Sequence, residues 1–327
     1  MHDRIVFIGY DALMGENRNE YPTVAVLMST YNGEKYIKEQ LDSIFNQKEV
    51  QVTLYVRDDG STDNTLDIIK AYHNDIILLP FDENKGPGLS FMTLLYHVMS
   101  LPTQYDYYAF ADQDDIWMDE KLIKAIQQIK NEGKCVLYSS NQWLYENDIK
   151  TKLRYDFKPD LTLVGHISKN LLSGCTMVFD YAMAEKITSF TCPPRSLLNY
   201  RMHDAWVALI ATLYGSFIYD ENSYILYRIH SANTVGVKKD SFFKRIQLFL
   251  GLGKKTERYT NIRSQTAQLL LENENDYSLE DKNILESVAY YQRGLKNKFQ
   301  LMQIKDIYEK SGESKFIFCV KVMLNII

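Results

Sequence analysis

Three carboxylates, Asp112, Asp114 and Asp115, stand within four residues of one another in the stretch Tyr108-Ala109-Phe110-Ala111-Asp112-Gln113-Asp114-Asp115-Ile116-Trp117. Like charges that close repel, and their pKa values are driven apart unless a cation or hydrogen-bond donors sit among them. A hard divalent ion such as Mg2+ or Mn2+ takes oxygen ligands from one or two carboxylates and fills its other positions with water and phosphate oxygens. The stretch therefore reads as a metal site at a strand end, serving a phosphorylated substrate. It also reads as a solvated acidic turn capping the helix that starts near Met118, since Asp favours helix N-termini. The residues alone leave both readings open.

Other polar clusters carry similar pairs of readings. Tyr31 follows an apolar run, where its ring could stack on a nucleobase or fill the core. Asp59 lies in Arg57-Asp58-Asp59-Gly60-Ser61-Thr62-Asp63, which also suits a helix-capping turn with Ser61 or Asp63 as the cap. Asn84-Lys85-Gly86-Pro87-Gly88 is a loop, and a lone Lys85 there is usually just solvated. Asp204, in Arg201-Met202-His203-Asp204-Ala205-Trp206, is a candidate general base: a hydroxyl is a poor nucleophile until a positioned carboxylate takes its proton. The competing reading is a cap for the apolar helix that follows. His230 is a single histidine at a strand end, more often structural than ligating.

Parallel strands buried on both faces read as continuous apolar runs. Val24 to Ser29, Val52 to Val56, Ile76 to Leu79 and the run into Asp112 fit that pattern, and helices with apolar residues at helical spacing separate them. Alternation of this kind predicts an α/β fold with a Rossmann-like, mostly parallel sheet. Ligands of such sheets bind beyond the carboxyl ends of the strands. Ser29–Asn32, Asp58–Asp59, Asn84–Gly88 and Asp112–Asp115 all fall at that edge. Beyond residue 140 the pattern loosens, with strands expected at Met177–Phe179 and Ser223–His230.

The chain has 327 residues, 46% of them hydrophobic, which suffices for a packed core. A net charge of −5 argues against a nucleic-acid partner. Its four cysteines show no CxxC and no zinc spacing, which points to a reducing compartment. No signal peptide and no bilayer-spanning run is evident, so a cytoplasmic location is expected.

With these residues in hand, the chain resembles the family 2 glycosyltransferases of GT-A fold. The resemblance rests on Ser29-Thr30-Tyr31-Asn32-Gly33, the Arg57–Asp63 motif, Asp112-Gln113-Asp114-Asp115-Ile116-Trp117 and His203-Asp204-Ala205-Trp206. Two further segments, Ser173-Gly174-Cys175-Thr176-Met177 and Tyr227-Arg228-Ile229-His230-Ser231-Ala232-Asn233-Thr234-Val235-Gly236, look like the rhamnosyltransferase branch. The resemblance implies a GT-A domain over residues 23–238, after an N-terminal extension at 1–22. It implies that Ser29, Tyr31, Asp59, Asn84, Lys85 and Asp112 serve the donor nucleotide, with Asp59 accepting from the uracil or thymine imide. Asp114, Asp112 and His230 would hold a divalent cation, Mn2+ or Mg2+, and Arg228 could add positive charge near the phosphates. Asp204 would be the base of an inverting displacement. His203, Trp206 and Asp115 would support the site, while Gly174 and Cys175 would let the acceptor sugar approach the backbone.

The implied donor is dTDP-rhamnose or a UDP-sugar, and the implied acceptor a glycan or lipid-linked saccharide in surface polysaccharide synthesis. Residues 239–327 change character to helix. Residues 241–255 and 316–327 mix aromatics, leucines and lysines, a composition suited to an interfacial helix on the inner leaflet of a membrane. Packing on the catalytic domain or a homodimer contact explains it equally well. A nucleotidyltransferase would need a Gly-rich phosphate loop after the first strand, and an NAD enzyme a GxGxxG there. Thr30-Tyr31-Asn32-Gly33 supplies neither. A non-catalytic sugar-nucleotide-binding subunit would tolerate loss of the base or of the metal carboxylates, and this chain retains both.

Overall fold

The run Val24–Met28 is wholly buried, and its side chains alternate between two cores. Ala25 and Leu27 join one cluster with Tyr55, Tyr108 and Phe110, while Val24, Val26 and Met28 join the other with Leu54, Val56 and Ala109. Successive side chains of a strand face opposite ways, so a strand covered on both faces needs apolar residues at every position. The computed structural model describes residues 21–72, 76–230, 261–273 and 276–327.

Six of the strands in this central sheet are β1 (Thr23–Thr30), β2 (Gln51–Asp58), β3 (Ile76–Leu78), β4 (Tyr107–Ala111), β6 (Val136–Ser140) and β9 (Val178–Asp180). With β10 (Ser216–Asp220) they order β10-β6-β9-β4-β1-β2-β3. Pairing is parallel along β4-β1-β2-β3 and between β10 and β6, and antiparallel on both sides of β9. Helices α1 (Ile37–Phe45), α2 (Thr65–Ala71), α3 (Pro87–Met99), α4 (Lys121–Glu132), α5 (Leu163–Ser168), α6 (Tyr181–Ser189) and α7 (Arg195–Tyr214) flank the sheet. The sheet is thus mixed but mostly parallel, with the first four polar clusters at one edge as expected.

A second sheet was not foreseen. It orders β5-β11-β7-β8, from β5 (Ile116–Trp117), β7 (Trp143–Glu146), β8 (Ile149–Leu153) and β11 (Ile225–Arg228). The expected capping roles also differ. Helix α4 starts at Lys121 behind Glu120, so none of the three clustered carboxylates caps it. Helix α2 has Asn64 at its cap with no side-chain bond. Asp63 does serve the start of α2, accepting from Thr65 N at 3.0 Å through Oδ1, and its Oδ2 accepts from Glu34 N. Ser61 accepts from Asn32 N instead, so the loop after β2 is laced to the loop after β1.

Among the described residues five α-helices follow in the C-terminal region: α8 (Ile262–Asn273), α9 (Leu279–Ala289), α10 (Leu295–Gln303), α11 (Lys305–Lys310) and α12 (Lys315–Met323). Leu270, Leu285, Leu301, Ile307, Phe318 and Val322 share one core cluster with Trp206 and Leu209 of α7. These helices therefore pack on the catalytic domain. The N-terminal extension over 1–20, the segment 241–255 and the boundary near 238 lie outside the described residues.

Candidate active site

Strand ends, loops and α7 enclose a cleft of about 1140 Å3, room enough for a nucleotide-linked sugar and part of an acceptor. Its first wall is the end of β1. Tyr31 is 51% exposed there, which removes the core reading. Gln113 clasps its peptide, accepting from Tyr31 N at 2.9 Å and donating to Tyr31 O at 3.0 Å. Asn32 turns the chain with φ 49°, a left-handed conformation that Asn tolerates better than most residues.

The end of β2 divides labour between its two carboxylates. Asp58 is structural: it accepts from Thr30 Oγ1, Gly60 N, Ser61 N and Ser61 Oγ at 2.6–3.0 Å. Asp59, buried but lining the cleft, is held through one oxygen. Its Oδ1 takes an ion pair from Arg57, a bond from Ser90 Oγ at 2.8 Å and one from Lys85 N at 3.2 Å. Asn84 donates to Asp59 O at 2.8 Å. Arg57 is 1% exposed and also reaches Asp82 and the carbonyl of Glu83. Lys85 pairs with Asp82 at 2.5 Å and its side chain does not line the cleft.

At the end of β4, Asp112 and Asp114 line the cleft, whereas Asp115 turns inward and is buried. Burial, then repulsion from Asp114, pushes the Asp112 carboxyl up to about 7. Burial and the same two neighbours hold Asp115 well above its ordinary value. Asp114 Oδ2 meets His230 Nε2 at 2.8 Å, and the His230 ring packs 5.0 Å from that of Tyr36. Arg228 braces this loop from β11. Its N donates to Asp115 Oδ1 at 3.2 Å and its Nε to Asp114 O at 3.0 Å, while its guanidinium pairs with Glu39 and Asp148. The expected charge for the phosphates is thus engaged in holding the acidic loop. Behind the loop, Cys175 is buried, its thiol raised by burial, and accepts from Gln142 Nε2 at 3.2 Å.

Asp204 enters the same cleft from α7. That helix breaks at Met202, whose φ of 57° and ψ of 168° belong to a region nearly confined to glycine. Past the break Asp204 stands in a fresh first turn, where helix dipoles favour a carboxylate. Its Oδ1 accepts from Ala205 N at 2.6 Å. Burial raises its carboxyl to about 7, against donors on Ala205, Gly174 and Asn170 that lower it. His203 stacks on Phe91 with centroids 4.1 Å apart and meets Phe110 edge-on at 4.7 Å. Burial lowers its pKa to about 3, so the ring is neutral and shapes the wall, with no hydrogen bond to Asp204. Gly174 lines the cleft against this ring, and Trp206 turns into the core.

The structure thus gathers Ser29, Tyr31, Asp59, Asn84, Asp112, Asp114, Gly174, His203, Asp204 and His230 around one cleft. Lys85, Asp115, Cys175 and Trp206 lie behind it. Sequence reasoning passed over Gln113, Arg57 as the anchor of Asp59, and the cleft residues Arg154, Tyr200, Arg263 and Lys321. Arg57 had a signal, since a charge continuing an apolar strand must find partners. The others had none.

A cleft at the carboxyl edge of a parallel sheet, with clustered carboxylates and a recessed base candidate, suits transfer chemistry on a nucleotide-linked substrate. Residues 25–188 match Glycosyl transferase family 2, and the chain belongs to that family and is a glycosyltransferase of GT-A fold. It is 34% identical over 232 residues to the dTDP-rhamnosyl transferase RfbG of Shigella flexneri, covering 68% of this chain and 78% of that one. Among solved structures, S. aureus TarS in complex with UDP superposes with TM-score 0.58 at 16% identity, over 93% of this chain and 87% of that one. The mannosyltransferase PcManGT from Pyrobaculum calidifontis, in complex with GDP-Man and Mn2+, gives TM-score 0.55 at 17% identity, over 93% and 88%.

Proposed function

We propose that the protein is a metal-dependent, inverting glycosyltransferase that moves L-rhamnose from dTDP-rhamnose to a hydroxyl of a lipid-linked surface saccharide. The observation that carries the mechanism is a single cleft lined by Asp112, by the Asp114–His230 pair and by Asp204. The likeness to a dTDP-rhamnosyl transferase supports the choice of donor.

In this reading Tyr31 stacks on the base, beside Ser29 and Asn84. Asp59, engaged through Oδ1, offers Oδ2 to the imide N–H of thymine. Among the described residues the ligand atoms that converge are those of Asp112, Asp115 and Cys175, the last two buried behind the loop. Of the groups that reach the cleft, two carboxylates and an imidazole suit Mn2+ or Mg2+, and Asp112, raised by burial and by Asp114, is a carboxyl that a cation would return to its charged form. A cation held by Asp114, Asp112 and His230 would neutralise the charge growing on the leaving diphosphate. Asp204 takes the proton of the acceptor hydroxyl as that oxygen bonds to the anomeric carbon. The bond to the diphosphate breaks on the opposite face, its electron pair leaving with the diphosphate, and the configuration inverts. A base raised to about 7 is matched to proton transfer near neutral pH.

A UDP-hexose donor is the second reading, because the Asp59 contact serves uracil and thymine alike. The test is nucleotide release from a panel of dTDP- and UDP-sugars with Mn2+ or Mg2+, and with EDTA as control. Turnover confined to dTDP-rhamnose and abolished by EDTA is expected. Turnover of a UDP-sugar would transfer the proposal to that donor. Nucleotide binding by calorimetry without turnover, even with saccharide acceptors added, would favour a non-catalytic subunit.

A further inference from the structure

Helix α12 carries apolar residues on its outer side as well as on the side that enters the core. Phe318 and Val322 enter the core, yet Phe316, Ile317 and Met323, followed by Leu324, face outward, with Phe316 76% exposed. Phe316 and Met323, and likewise Ile317 and Leu324, are seven residues apart, two turns along the same side, with half-buried Val320 between them. Helix α10 packs beside it and exposes Leu295 and Phe299, four residues apart, with Phe299 59% exposed. Lys298 ties the two, donating from Nζ to Met323 O at 2.9 Å.

Neither helix contains Asp or Glu, in a chain whose net charge is −5. Lys296 and Lys315 stand exposed on these helices, while Lys298 is tied to Met323 O and Lys321 to Glu313. The carboxylate just before α12, Glu313, is engaged by Lys321 at 2.7 Å and Arg263 at 3.3 Å. A soluble surface seldom leaves so many large apolar side chains together without a partner.

We propose that the outer faces of α10 and α12 dock the enzyme on an anionic lipid bilayer. Phe299, Phe316, Ile317 and Leu324 insert at the headgroup boundary, and Lys296 and Lys315 meet the lipid phosphates. A second copy of the chain is a poorer occupant, because two such faces would set lysine against lysine. Lys321 and Ile327 of this same region line the cleft, so the docked face adjoins the site. The docking stands apart from the identity of the donor: a chain without turnover would still bind vesicles, so failure of the two proposals is read separately.

The test is flotation of the full chain with vesicles of phosphatidylcholine alone, or with about one third phosphatidylglycerol. Binding to the anionic vesicles that weakens with salt is expected. The double variant Phe299→Glu, Phe316→Glu should lose about tenfold or more of that binding, with its melting temperature and nucleotide release unchanged. Lys296→Gln with Lys315→Gln should lose about tenfold on anionic vesicles and nothing on neutral ones. No flotation, or flotation unaltered in the Phe variant, overturns the proposal. So does a dimeric mass by light scattering that the Phe variant halves, which would make the face an interface between copies.

Discussion

Replacing Asp204 by Asn exchanges one carboxylate oxygen for an amide nitrogen, and so separates the chemical role of this residue from its structural cost. The acceptor for Ala205 N–H survives, so the local turn should hold. The ability to take a proton does not, and loss of a positioned base costs roughly 10²–10⁴ in kcat. Affinity for nucleoside diphosphate should stay within about twofold, since the proposed mechanism sets Asp204 on the acceptor side. Stability should move the other way. The carboxyl rises from 3.8 to about 7, chiefly through burial, so between those values the folded protein holds a proton that the unfolded chain has released. Folded wild type is then the more protonated state, and its stability falls as pH rises. That cost grows by about 1.4 kcal/mol per pH unit, roughly 3 kcal/mol between pH 5 and pH 7. Cleft water screens part of it, leaving about 2 kcal/mol. Asn carries no such cost, so the Asn variant should melt a few degrees above wild type at pH 8, with a smaller gap at pH 5. Wild-type kcat should climb with pH towards a plateau above about 7. Steady-state kinetics, calorimetry with nucleotide and thermal melts at both pH values read all of this. Full turnover by the variant would remove Asp204 from the chemistry, and a melting gap independent of pH would refute the burial argument.

Arg57→Lys keeps the charge but loses the fork that meets Asp59, Ser90, Asp82 and the Glu83 carbonyl together. It should cost about 2–4 kcal/mol in urea denaturation and weaken nucleotide binding about tenfold or more by calorimetry. Gly174→Ala drives a methyl into His203 Nε2 and to 2.9 Å from Cε1, while Phe91 and Phe110 bar the ring from retreating. About 1–3 kcal/mol of stability should go, with kcat falling more than nucleotide affinity; unchanged kcat would show that the wall tolerates the shift.

The nucleotide half of the site was legible because its strands are buried on both faces. Such strands cannot hide: every residue from Val24 to Met28 must be apolar, and the first polar residue afterwards marks the sheet edge. The second sheet was hidden for the opposite reason. Strands β5, β7 and β8 are two to five residues long, β8 is largely exposed, and their order is set by partners far away in the chain. The break at Met202 was equally invisible, because methionine carries no signal for a positive φ. Arg228 shows the limit of residue-type reasoning. A guanidinium near an acidic loop suggested phosphate, and the fold uses it as a brace.

That brace has a consequence for how the enzyme matures. Tyr31, Asp59 and Asn84 all lie early in the chain, and β1 to β4 can pair through short crossovers. His230 meets Asp114 across 116 residues, and Arg228 reaches Glu39 across 189. Contacts at such separations close late, because long loops must be paid for in entropy before they return any contact. During synthesis the base-binding half therefore leaves the ribosome well before the strand that latches the acidic loop. Under the proposed mechanism donor turnover becomes a property of the finished fold, withheld until β11 brings His230 to Asp114.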